Sequence, residues 1–117
     1  MQQNKIFGTQ GEQIAKEYLI EHGYEVLETN WIQGHKEIDI IAFKDSYYIF
    51  IEVKTRQGTT YGMPENSISQ KKIRSVTQAA LIYLRNKSYT DIRFDVISII
   101  MKQGTVIDFL HIKDAFY

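Results

Sequence analysis

The stretch KEIDIIAFKDSYYIFIEVKTR, residues 36–56, decides the fold. Two runs rich in Ile, Val, Phe and Tyr, Lys36–Phe43 and Tyr47–Thr55, flank Lys44-Asp45-Ser46. That is the pattern of two strands joined as a hairpin. Successive side chains of a strand alternate between faces. Tyr47, Ile49, Ile51 and Val53 therefore share one apolar face, and Tyr48, Phe50, Glu52 and Lys54 the other. A turn centred on Asp45-Ser46 opposes residues whose numbers sum to 91. Ala42 then faces Ile49, Ile40 faces Ile51 and Ile38 faces Val53, so the two apolar sets coincide, as register demands.

The same register sets Asp39 across from Glu52 and Glu37 across from Lys54, with opposed Cβ atoms about 4.5–5.5 Å apart. Two carboxylates this close repel unless a cation sits between them. A hard cation such as Mg²⁺ takes oxygen ligands and keeps several waters. Lys54 lies on the Glu52 face, about 7 Å further along the strand. There it could orient or deprotonate a water, or stabilise charge on phosphorus. One metal, two carboxylates and a lysine suit phosphodiester hydrolysis. Spacing alone leaves a second reading open, in which Glu37 and Lys54 form an ordinary cross-strand pair and Asp39 is solvated.

Working outward, Phe7, Gly11, Ile14, Ala15, Tyr18 and Leu19 recur at helical spacing over Asn4–His22, and Gly23 reads as the stop. Tyr24–Trp31 reads as a strand. Residues 57–66 read as a loop holding Gly58, Gly62 and Pro64. A second helix is expected over Ser67–Asn86, with Ser67 and Gln70 as a capping box and Ile73, Val76, Ala80, Tyr83 and Leu84 as its stripe. Arg93–Met101 is a strand apolar on both parities after Asp95, hence buried on both faces. Thr105–Ile112 returns after Gln103-Gly104. The order is α-β-β-β-α-β-β. Strand, long helix, strand calls for a crossover and a partly parallel, mixed α/β sheet flanked by helices.

At 117 residues, with 44% apolar and 13% aromatic content, the chain is expected to be one domain over residues 1–117 with a real core. It has no cysteine, which excludes disulfides, thiolate zinc and a cysteine nucleophile. With neither a signal-peptide core nor a spanning apolar run, a cytoplasmic, non-membrane protein is expected. Fourteen basic and fourteen acidic residues exclude a grip on nucleic acid through overall basicity. They leave room for a local patch, and residues 70–88 carry Lys71, Lys72, Arg74, Arg85 and Lys87 with no acid. That face is either merely solvated or suited to a DNA backbone. Lys72 sits at the edge of the apolar stripe near a helix N-terminus. Either it meets phosphate there, or its stem covers core while its ammonium reaches water. His22, His35 and His111 have no ligand spacing and are read as structural or surface residues. Arg93 and Asp95 share a parity and are expected to pair with each other or a neighbour.

Ile38-Asp39, twelve residues, then Glu52-Val53-Lys54 resembles the D…ExK core of the PD-(D/E)xK nuclease superfamily. The wider string is more specific. It runs through Gly11-Glu12, Ala15, Tyr18-Leu19, Gly23-Tyr24, Asn30, Glu37-Ile38-Asp39-Ile40-Ile41-Ala42 and Phe50–Arg56. It continues with Gly62, Lys72, Ala79-Ala80, Tyr83-Leu84, Arg93–Ile97 and the ending His111-Ile112 to Ala115-Phe116-Tyr117. Together these resemble the YraN-like family of uncharacterised bacterial proteins over nearly the whole chain. The resemblance implies a restriction-endonuclease-like fold, similar to archaeal Holliday-junction resolvases, with Asp39, Glu52 and Lys54 as its core triad. It also implies Glu12 as the additional acid from the first helix; without it, Glu12 reads as an i,i+4 partner of Lys16. Many members read Gly-Glu-Ile-Asp, whereas here His35-Lys36 stand between Gly34 and Glu37.

The function expected is a Mg²⁺- or Mn²⁺-dependent endonuclease acting on DNA, with branched or damaged DNA as candidate forms. Asp39, Glu52 and Glu12 would serve the metal, Lys54 the water, and Lys72, Arg56, Lys71 and Arg74 the phosphates. The alternative is a catalytically silent module on a nuclease scaffold that binds nucleic acid or a partner. A homodimer is a candidate assembly, through the loop at 57–66 and the Phe116-Tyr117 ending.

Overall fold

A computed structural model of the chain describes residues 2–58 and 69–116, with side chains from Thr9 onward. The elements are α1 (Gln2–Glu21), β1 (Glu25–Gln33), β2 (Lys36–Lys44), β3 (Tyr47–Gln57), α2 (Gln70–Leu84), β4 (Asp91–Lys102) and β5 (Thr105–Ile112). This is the α-β-β-β-α-β-β order read from the sequence, in a mixed α/β fold. One five-stranded sheet runs β1-β2-β3-β4-β5. β3 and β4 are parallel, with α2 lying between them in the chain, and the other neighbours are antiparallel.

α1 buries Ala15 and Leu19 against Ile40, Ala42, Ile49, Ile51, Ile97, Ile99 and Met101. It ends where Gly23 takes φ +88°. The Tyr24 N–H donates to Leu19 O at 2.9 Å and the Gly23 N–H to Ile20 O at 3.1 Å. These two bonds satisfy carbonyls that a helix end leaves open. Lys44 Nζ donates to His22 O at 2.7 Å and closes the same end.

The hairpin turn is the expected one. Asp45 and Ser46 both take positive φ, 53° and 72°, as a two-residue turn matched to strand twist requires. Pairs summing to 91 run from Lys44↔Tyr47 to Ile40↔Ile51. There the ladder stops, which corrects the expectation that it continues through Asp39 and Glu52. The Asp39 Oδ2 accepts the Val53 N–H at 2.8 Å, so a side chain takes a bond that a strand carbonyl would hold. On β1, Asn30 lies between the rungs Thr29↔Ile40 and Trp31↔Ile38 with φ 51°. β2 changes face across this point. Ile38 packs with the α2 cluster, not with Ile40 on the α1 face as the alternation predicts.

The second sheet face is also buried. Val76, Ala79, Ala80, Tyr83 and Leu84 of α2 cover Ile38, Ile41, Phe50 and Phe94. α2 begins later than expected: its N-cap is Ser69, whose side chain accepts the Lys72 N–H at 3.1 Å. Ser67, most of the loop at 57–66 and Tyr117 lie outside the described residues. Gln57 ends β3 instead of opening that loop.

β4 is buried from Phe94 to Met101, as its double-parity apolar pattern requires. The expected Arg93–Asp95 pair forms and is bidentate, with Nε to Oδ1 and Nη2 to Oδ2 both at 2.9 Å. His111 Nε2 meets Asp95 Oδ2 at 2.8 Å, and the Asp114 N–H donates to Oδ1 at 3.0 Å. His111 Nδ1 in turn meets the Tyr18 hydroxyl at 2.9 Å, and Arg93 donates to the Tyr24 hydroxyl at 3.0 Å. His111 is therefore structural, as expected. Phe116 stacks on Phe94 of its own chain, ring centroids 5.1 Å apart.

Candidate functional site

The site forms where the hairpin stops pairing. Glu52 stands on the central strand β3, fixed on one side by the parallel ladder to β4 in which it pairs with Val96. Asp39 stands on β2 at the face change and is anchored by the Val53 N–H. The Asp39 backbone N–H lies close enough to Glu52 to favour its ionised form. The two strands thus exchange side-chain contacts where they no longer exchange backbone ones, and both acids stay in one place.

Glu12 arrives from α1. Gly11, immediately before it, is buried against Thr55 of β3, and a Cβ at Gly11 would collide with the Thr55 side chain. Only glycine lets the helix backbone come this near. Glu12 is half-buried, hydrogen-bonded by the Asn30 side chain and close enough to feel Glu37 and influence Asp39. Sequence reasoning misses both the hydrogen bond from Asn30 and the charge that Glu37 adds at the site. An Asn interrupting a strand is the signal that could have found the first, because Asn tolerates left-handed backbone.

Crowded acids in a dry setting resist ionisation. Burial pushes the Glu52 carboxyl up to about 8, with Asp39 adding to the rise and Lys72 opposing it. Burial pushes Asp39 up to about 6; Glu12 and Glu37 add to this, while the Val53 N–H and Lys72 oppose it. Glu12 is raised by burial and by Glu37, against the bond from Asn30. Lys72 Nζ lies 3.2 Å from Glu52 Oε1. Burial would lower the Lys72 pKa, but Glu52, Asp39 and Glu37 outweigh that and raise it.

Lys54 is half-buried on β3, on the strand parity of Glu52, with Arg56 two residues further on. Lys71 and Arg74 are exposed on α2. Of the basic residues expected to meet phosphate, Lys72 is the one that the structure brings onto a site acid.

A cation fits this donor set on one observation above others. Glu52 is only 3% exposed, and its Oε2 is buried with no hydrogen-bond partner. A buried carboxylate oxygen left unmet is costly. Asp39 and Glu52 are hard oxygen donors of the kind Mg²⁺ and Mn²⁺ take. Among the described residues, however, no three acidic or imidazole groups close into a ready-made cage.

Fold and site together define a mixed α/β protein with a carboxylate–lysine centre where a central hairpin opens. The chain belongs to the uncharacterised protein family UPF0102, the YraN-like family, which residues 11–99 match. It is 44% identical over 119 residues to a UPF0102 protein of Parabacteroides distasonis, covering all of this chain and 97% of that one. It is 38% identical over 103 residues to one from Syntrophomonas wolfei, covering 86% and 90% of the two chains. It is 36% identical over 118 residues to one from Rhodococcus opacus, covering 99% and 100%. Among solved structures it is similar to an fdxN element excision controlling factor protein from Anabaena variabilis, with a TM-score of 0.40 and 10% identity. That match covers 86% of this chain and 98% of the other. No helix among the described residues is long and apolar enough to cross a membrane.

Proposed function

We propose that the protein is a divalent-metal-dependent endonuclease that hydrolyses phosphodiester bonds in DNA, with branched or damaged DNA as the candidate substrate. The observation that carries this reading is the unpartnered, buried Oε2 of Glu52 beside Asp39. Asp39 and Glu52 would hold Mg²⁺ or Mn²⁺, and Glu12 would act on it through water. When bound, such an ion neutralises the two acids and polarises the phosphoryl group.

The remaining work falls to this chain's own side chains. Lys54 Nζ orients the attacking water and takes up charge that develops on the phosphoryl oxygens. Asn30 steadies Glu12, and the Val53 N–H fixes the direction of Asp39. Arg56, Lys71, Lys72 and Arg74 bind backbone phosphates. This local basic group compensates for a net charge of zero.

The test is cleavage of end-labelled single-stranded, duplex, flap and four-way-junction DNA with Mg²⁺, Mn²⁺ or EDTA. Wild type should cut at least one form only with metal, and Glu52→Ala should not cut. Nucleic-acid binding by wild type with neither cutting nor metal binding would favour the silent binding module instead.

A further inference from the structure

We propose that Lys72 is a displaceable counter-ion. It rests on Glu52 while no metal is held there, and it is released to a substrate phosphate once Glu52 takes a divalent cation. This deepens the preceding proposal and rests on its assignment of Asp39 and Glu52 as the metal-holding pair.

The ion pair is lopsided. The Glu52 side chain is 4% exposed and sits on a strand hydrogen-bonded into the sheet, whereas the Lys72 side chain is 45% exposed. Lys72 is the partner free to leave. Its ammonium is a strongly hydrated point charge on a four-carbon stem, so returning it to water costs little. It also does half of what a permanent partner does. It meets Oε1 and leaves Oε2 unpartnered, while the Arg93 guanidinium engages both oxygens of Asp95.

The position on α2 points the same way. Lys71 and Lys72 stand in the first turn with no acid among them. The helix macrodipole disfavours cations at this end, so helix stability does not account for Lys72. Its backbone is fixed by the Ser69 cap, which leaves only the side chain to move. Charge balance supplies the direction. Replacing a monovalent ammonium at Glu52 with a divalent ion leaves Lys72 as surplus positive charge beside Lys71, and a phosphate offsets it.

The experiment is competitive amine acetylation of the wild-type protein, read by mass spectrometry with and without Mg²⁺. Lys71 is the internal reference, and calorimetry follows Mg²⁺ binding in parallel. Lys72 reactivity relative to Lys71 should rise several-fold as Mg²⁺ saturates. Measured Mg²⁺ binding with unchanged Lys72 reactivity overturns the counter-ion proposal and leaves the metal assignment standing. No Mg²⁺ binding at all overturns both. A second arm measures binding of a short DNA duplex in Ca²⁺ and in EDTA. Lys72→Ala, and Lys72→Gln, which retains a hydrogen-bond donor to Glu52, should each lose several-fold more affinity in Ca²⁺ than in EDTA. Equal losses in the two conditions would also overturn the proposal.

Discussion

Asp95 and Glu52 are buried acids on neighbouring parallel strands, one rung apart, since Asp95 pairs with Ile51 and Glu52 with Val96. Their surroundings are opposite. Asp95 is fully buried, yet it is met by Arg93 twice, by His111 and by the Asp114 N–H. Burial alone would raise its pKa; those bonds from His111, Arg93 and Asp114 outweigh burial and hold it below the ordinary value. Glu52 has one ammonium, one oxygen with no partner and a second acid beside it, and its pKa rises to about 8. A buried charge whose needs are met ties strands together. A buried charge whose needs are unmet costs stability and waits for a partner. The contrast separates architecture from candidate chemistry within one sheet.

The sharpest way to break this comparison is to delete each acid in turn. Asp95→Ala strands the Arg93 and His111 partners and should cost about 3–5 kcal/mol of unfolding free energy. Glu52→Gln should cost far less, because it removes a poorly met charge. Urea unfolding of both variants measures the difference, and equal losses would end the distinction.

Next in size is a pH effect with a definite sign. Burial and the neighbouring Asp39 raise the Glu52 pKa in the fold above its ordinary value of 4.5, against the pull of Lys72. This opens a window above 4.5 in which the fold favours the protonated form more than the unfolded chain does. The folded state therefore binds more protons than the unfolded chain across that window. Stability should fall as pH rises from 4.5 toward 8, with Asp39 contributing below about 6. Asp95, with its lowered pKa, works in reverse: its contribution is lost only as pH falls below the ordinary carboxylate range. Denaturation at a series of pH values should show a slope that Glu52→Gln flattens.

Metal sharpens the contrast further. Mg²⁺ at a hundred times its dissociation constant should stabilise the wild-type fold by about 2.7 kcal/mol. At one fixed Mg²⁺ concentration the gain should be larger at pH 8.5 than at pH 6.5, because the cation competes with protons for the two acids. Thermal melts of Glu52→Gln should show little of it, whereas Tyr18→Phe should keep it in full. Tyr18→Phe gives the smallest effect. It removes only the hydroxyl that meets His111 and should cost about 1 kcal/mol in urea unfolding.

Much of the fold was legible because it follows from local rules. Alternation along residues 36–55 fixed the hairpin, and the Asp45-Ser46 turn fixed its register down to Ile40↔Ile51. The double-parity apolar run of β4 announced a central strand. The departures occur where side chains replace backbone partners. Ile38 changes face beside Asp39, whose carboxylate takes the Val53 N–H, and strand parity has no way to signal such a substitution. Two serines precede α2, and Ser69, the one that caps it, has no acid or amide three residues on to mark it. In the site, extending the register set Asp39 beside Glu52, and the two are close, but the bond from the Val53 N–H to the Asp39 carboxylate stands where the expected ladder rung would be. The Lys72–Glu52 bridge was not legible, because it depends on where the crossover helix lands on the sheet.

The close approach of Gly11 to Thr55 has a consequence for how this sequence can drift. Gly11 sets how near α1 lies to β3, and Gly23 sets where the chain leaves the helix. Each residue added between them would rotate everything on one side of it by about 100°. Either Glu12 would swing away from Asn30 or Leu19 would leave the core. The span from Gly11 to Gly23 therefore behaves as a ruler of fixed length, whereas residues added ahead of Gly11 leave it untouched. Among descendants of this sequence, changes in length should gather before Gly11 and avoid the stretch after it.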